Sequence, residues 1–172
     1  MEPQKRDYKP FVDVDRYLFV DDRGSVYCAL DKMNTYSMTD DFAPNMNLPG
    51  PIKRTYVVHN WGSGRIRAWH GHRNGWTGIH VISGAAKVVA VPIGEDDKLT
   101  YIERMTKSAV LSDKNPGIFW VPPGWFNGHM SLKDDTKMLI YSTHTFEEVK
   151  DDDVRCCLSN MDVKRYFEVE NR

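Results

Sequence analysis

An all-β fold, built as an antiparallel sandwich or barrel, is what this sequence predicts, and three observations predict it. Short runs of strand-forming residues, apolar or alternating, follow one another at close spacing from Tyr17 to Thr143. Turn residues break them at Asp21-Asp22-Arg23-Gly24, Ser83-Gly84, Gly94-Glu95-Asp96-Asp97 and Pro122-Pro123-Gly124. Only the tail carries a helical pattern, and many short strands with such turns are the mark of closed or layered β architectures.

Taken in order, residues 1 to about 15 are charged and proline-containing and read as an arm. Tyr17–Val20 and Ser25–Leu30 make a hairpin across Asp21–Gly24, and residues 31–51 have no sustained period and read as a long surface loop. Ile52–His59 is the next strand, and Asn60-Trp61-Gly62-Ser63-Gly64 turns it into the stretch Gly64–Gly84. Strands follow at Ile79–Ile82, Ala85–Ile93, Leu99–Met105, Ser108–Leu111, Ile118–Val121, His129–Leu132 and Met138–Thr143. The tail from 147 onward opens on an acidic stretch, Glu147–Asp153, whose Asp151-Asp152-Asp153 reads as a solvated face. Asp162–Phe167 reads as a short helical segment.

At 172 residues and 41% hydrophobic, the chain can bury a core of its own, and no repeat or composition shift divides 1–172. A net charge of -1 gives no electrostatic steering toward nucleic acid or a membrane surface. Three cysteines, two adjacent at Cys156-Cys157, fit neither a disulfide framework nor a zinc spacing, and the start MEPQKRDYKP has no apolar signal region. The expectation is a reducing, cytoplasmic setting.

Chemistry concentrates in Gly64–Gly84. His70 and His72 stand at i and i+2 in a strand, so their imidazoles leave the same face, and in a regular strand Arg67 points the other way. A second stretch, Gly117–His129, runs an apolar strand into Pro122-Pro123-Gly124 and then Trp125, Phe126, Asn127 and His129. Together the two resemble the paired motifs of the cupin superfamily, which implies a double-stranded β-helix, or jelly-roll, barrel. The position of the metal-binding cupins' glutamate falls at Trp76 or Thr77, and that of their third histidine at Asn127, so two of four ligand positions are replaced.

Over roughly Phe19–Asp162 the chain also resembles the dTDP-4-dehydrorhamnose 3,5-epimerase family, metal-independent cupins acting on nucleotide-linked 4-keto sugars. Four pieces in order carry the resemblance: Phe19–Gly24, Ile66–His70, Trp120–Trp125 and Leu158–Asp162. It implies His70 as catalytic base, Asp162 as the acid orienting it, and Arg23 and Arg67 as substrate contacts, with no cofactor and a homodimer. The family's lysine falls at Thr77 and its general-acid tyrosine near Thr145 or Phe146, residues unable to replace them in proton transfer.

Epimerisation beside a ketone needs a base, a stabilised enolate and an acid. Histidine titrates near neutrality, and a carboxylate on its second nitrogen fixes its tautomer. Arginines bind diphosphate through charge-assisted hydrogen bonds. His72 is a candidate second proton carrier, Tyr141 or His144 a candidate for the missing tyrosine, and Asn127 and His129 candidate substrate contacts. Three readings compete with a 3,5-epimerase: a sugar-nucleotide 3,4-ketoisomerase, a metal-binding cupin using His70, His72 and His129, and a non-catalytic sugar-nucleotide binder. The tryptophans 69, 76, 120 and 125 read best as packing.

Overall fold

The computed structural model describes residues 9–13, 18–27, 51–94, 106–156 and 163–169. In chain order the strands are β1 (Phe11–Asp13), β2 (Leu18–Asp21), β3 (Gly24–Tyr27), β4 (Arg54–Asn60), β5 (Ile66–His72), β6 (Thr77–Ser83) and β7 (Ala85–Pro92). They continue as β8 (Lys107–Ser112), β9 (Ile118–Val121), β10 (Trp125–Ser131), β11 (Thr136–Ser142) and β12 (Asp153–Arg155). Among the described residues there are also two short helices, α1 (Phe146–Val149) and α2 (Val163–Phe167).

The strands form two five-stranded sheets, in the orders β1-β9-β6-β11-β4 and β12-β5-β10-β7-β8, with β2-β3 as a separate hairpin. Every pairing is antiparallel, as the jelly-roll expectation requires. Alternation fixes which face each strand buries. Ile79 and Val81 of β6, Val88 and Ala90 of β7 and Met138 and Ile140 of β11 meet between the sheets and make the main core. The β6–β7 hairpin closes at Gly84, whose φ of +85° and whose packing against Thr136 both exclude a side chain.

The outer face of the β5 sheet is apolar as well, and α2 covers it. Tyr166 and Phe167 pack on Trp69, with ring centres 5.1 and 5.7 Å away. All four tryptophans read as packing are buried, at 1–6% exposure.

Three elements differ from the sequence expectation. Residues 11–13 of the arm pair with β9, because three extended residues suffice to cover that sheet edge. Strand β10 begins at Trp125, directly after the Pro-Gly turn, and so runs its aromatic residues and Asn127 into the sheet. The tail contains a strand, β12, that begins inside the acidic stretch expected to be a solvated face, since Asp153–Arg155 completes the free edge of β5. The expected strand at 99–105, most of the 31–51 loop and Asp162 lie outside the described residues.

Candidate functional site

A cavity of about 460 Å³ opens between the two sheets, floored by the apolar core and walled by β4, β5, β10 and β12. From β5 come Arg67 and His70; from β10, Asn127 and His129; from β4, Tyr56 and Val58; from β6 and β12, Thr77 and Arg155.

A bulge in β5 decides which side chains enter. Asn127 pairs with His70 and Gly128 with Ala68, so Trp69 is the extra residue opposite that step. Ala68 and Trp69 both turn to the outer cluster, and Arg67 and His70 turn together to the cavity. The regular-strand expectation, which sent Arg67 away from His70, is therefore corrected by one inserted residue.

His70 is half-buried, and its Nε2 is hydrogen-bonded to the Asp153 carboxylate of β12. Burial would raise that carboxyl, but the hydrogen bond from Arg155 and the nearby His70 outweigh it and hold Asp153 below the usual carboxylate range. Asn127 Nδ2 donates to the His70 carbonyl at 2.7 Å, fixing the backbone beneath the imidazole. Asn127 also lines the cavity, so its amide ties that wall to the strand that carries His70.

Arg67 is aimed by a buried chain: its Nε donates to Asn60 Oδ1 at 2.8 Å, and Asn60 Nδ2 donates to Ser131 Oγ at 2.6 Å. His129 lies deep in the wall, where burial, reinforced by the Arg67 charge, lowers it to about 4 and keeps it neutral. Its Nε2 is buried and has no hydrogen-bond partner among the described residues.

Across the cavity stands Tyr56, on the face of β4 that also carries Val58 inward. Burial pushes its phenol up from 10.0; Arg54 opposes the rise and Asp153 adds to it. Tyr56 therefore keeps its proton at neutral pH.

The remaining candidates fall elsewhere. Tyr141 points to the opposite face of its sheet, packed on Trp120 with its hydroxyl 3.5 Å from His80 Nδ1, so it does not line the barrel. The alternation of β11 forces this, because Ile140 takes the inward position. His72 shares the face of His70, with ring centres 5.0 Å apart, but is buried behind the cavity beside Asp152. His144 approaches the same Asp152, at 3.3 Å. Arg23 sits exposed at the tip of the β2–β3 hairpin and is not among the described lining residues.

Asp152 and Asp153 are the residues that the sequence reading missed. The run reads as solvated, yet Asp152 is 4% exposed and Asp153 half-buried against His70. Tyr56 was missed as well, since nothing in Ile52–His59 marks which face looks inward. Among the described residues no three His, Cys, Asp or Glu side chains converge in a geometry that would hold a metal.

No protein-family model matches the chain, and no curated protein does. Solved structures do. The dTDP-4-dehydrorhamnose 3,5-epimerase of Elizabethkingia anophelis is similar at a TM-score of 0.69 and 16% identity, over 94% of this chain and 82% of that one. That of Bacillus anthracis, solved with TDP and pyrophosphate bound, is similar at 0.65 and 20%, over 87% and 79%. A 3,4-ketoisomerase from Helicobacter canadensis is similar at 0.60 and 17%, over 86% and 90%. These likenesses establish the fold as the cupin-like jelly roll.

Proposed function

We propose that this chain is a proton-transfer isomerase of nucleotide-linked 4-keto sugars, an epimerase of the 3,5 type, with His70 as its base. The observation that carries the reading is the His70–Asp153 pair on the cavity wall, faced across the cavity by Tyr56. Support comes also from the fold, shared with dTDP-sugar epimerases, and from the TDP and pyrophosphate in one of them.

With Nε2–H donated to Asp153, the lone pair of His70 resides on Nδ1, and that atom takes the proton from a carbon beside the ketone. The Asp153 carboxylate then stabilises the imidazolium. Arg155 and Arg67 supply positive charge for the diphosphate or for the developing enolate oxygen. Tyr56, protonated and on the opposite sheet, returns a proton to the other face of the sugar, in place of the tyrosine that the family carries near Thr145 or Phe146. Arg23 keeps the substrate-contact role that the family resemblance implies, and the orienting role that it gives to Asp162 passes to Asp153.

A 3,4-ketoisomerase is the second reading, favoured by His72 standing 5.0 Å from His70 on the same face, as a carrier between adjacent carbons. A homodimer and a cytoplasmic setting belong to the proposal too; the exposed Trp61 and Val57 beside β4 are apolar surface that a second copy would cover.

The test is incubation with a dTDP-4-keto-6-deoxyhexose in deuterated water, followed by NMR, with His70→Ala alongside. Deuterium at C3 and C5, absent in the variant, is the expected outcome. Entry at C3 alone with a shifted carbonyl selects the ketoisomerase, and identical exchange in the variant removes His70 as the base.

A further inference from the structure

Behind the cavity wall lies a second titratable group that the chemistry above does not use. Asp152 is buried, at 5% side-chain exposure, in a cradle formed by the loop that follows β5. Its Oδ1 accepts from the Arg73 and Asn74 backbone N–H groups at 3.0 Å and from Asn74 Nδ2 at 2.8 Å. Its Oδ2 accepts from the Gly75 N–H at 3.1 Å. Four donors hold the carboxylate in place.

Two imidazoles converge on that one Oδ2: His72 Nδ1 at 3.6 Å and His144 Nδ1 at 3.3 Å. Both nitrogens are buried, and among the described residues neither has a hydrogen-bond partner, so Asp152 is the polar group each one approaches. The two rings differ in access. His72 is 6% exposed and adjoins His70, whereas His144 is 20% exposed and lies at the protein's edge. Gly75 makes the convergence possible, since a Cβ there would overlap the His144 ring.

We propose that His72, Asp152 and His144 form a proton relay between the cavity wall beside His70 and bulk water, with Asp152 as the positioning carboxylate. The proposal rests on His70 acting as a base. A proton leaving His70 is taken up at His72 Nε2, and His72 gives its Nδ1–H to Asp152 Oδ2. Asp152 passes that proton to His144 Nδ1, and His144 releases its Nε2–H to water. One proton enters and one leaves, and each imidazole ends neutral with its proton on the other nitrogen. The same steps reversed carry a solvent proton inward. Burial is the main opponent of charge on His72, His70 adds to it, and Asp152 and Asp153 counter it, so the charged intermediate is brief.

The test uses the full chain with 15N-labelled histidine rings, titrated by NMR from pH 4 to pH 9 as wild type, Asp152→Asn and Gly75→Ala. Wild type is expected to show His72 in the Nδ1–H form, with His72 and His144 titrating in two coupled steps. Asp152→Asn is expected to abolish the coupling and move the His72 titration to lower pH. Gly75→Ala, which keeps every titratable group, is expected to uncouple His144 alone, and it decides the matter if Asp152→Asn fails to fold. Independent titrations in wild type, or tautomers unchanged by either variant, overturn the relay.

Deuterium entry into the dTDP-4-keto-6-deoxyhexose is the functional readout. A fall of about tenfold in Asp152→Asn, against complete loss in His70→Ala, is expected; undiminished entry in Asp152→Asn overturns the relay. No entry with the wild-type chain would count against the isomerase reading, while the ring titrations would still decide whether the three groups are coupled.

Discussion

His70, Tyr56 and His129 share one cavity and are asked for different things, and each makes its own prediction. Replacing His70 by Asn removes the proposed base and should lower kcat by ~10²–10⁴-fold, the usual range for general acid–base groups, with KM little changed. Tyr56→Phe keeps the ring against Arg54 and removes only the hydroxyl, so it should cut turnover by a similar factor while thermal stability stays within ~0.5 kcal/mol of wild type. A Tyr56→Phe chain with full kcat would remove the phenol from the chemistry.

His129 makes a stability prediction instead. Burial holds it neutral at about 4 in the folded chain, whereas the unfolded chain takes up a proton near 6.5. The unfolded state therefore binds more protons as pH falls between those values, and stability present above ~6.5 drains away toward pH 4, by ~3 kcal/mol for this group. Urea unfolding at pH 7 and pH 4.5 should show the drop, and His129→Gln should flatten it. At this scale the sequence was partly legible. An HxH inside a strand announces two imidazoles on one face, but the partner of His70 lies 83 positions away in a run that composition assigns to solvent. No local pattern distinguishes an aspartate in a buried cradle from one in water.

The strands themselves were largely foreseen, because alternating apolar residues and Gly or Pro turns act locally. The β5 bulge was not, because an inserted residue exists only relative to β10, whose register no single strand specifies. That bulge also turns Trp69 outward to receive Tyr166 and Phe167. Trp69→Ala should therefore cost ~3–5 kcal/mol, the usual range for emptying a large aromatic from a core. Denaturant titration gives the number, and a loss below 1 kcal/mol would mean that α2 contributes little to the outer face.

For the molecule as a whole, the cavity lies between sheets that touch elsewhere through apolar core, so a ligand filling it bridges both. Nucleoside diphosphate at about a hundred times its Kd should raise unfolding stability by ~2.7 kcal/mol, read as a concentration-dependent rise in Tm, and Arg67→Ala should reduce the rise. No change in Tm at millimolar TDP would count against a nucleotide-sugar ligand. Strand β12 carries a less obvious consequence. It is three residues long, lies at the edge of its sheet and supplies the carboxylate hydrogen-bonded to His70. Short edge segments open at far lower free energy than the core they border. On warming, Asp153 should thus detach from His70 while the sandwich is still intact. Turnover should fade several degrees below the loss of near-ultraviolet circular dichroism, and recover fully on cooling, as a reversible thermal dimmer set in the architecture itself.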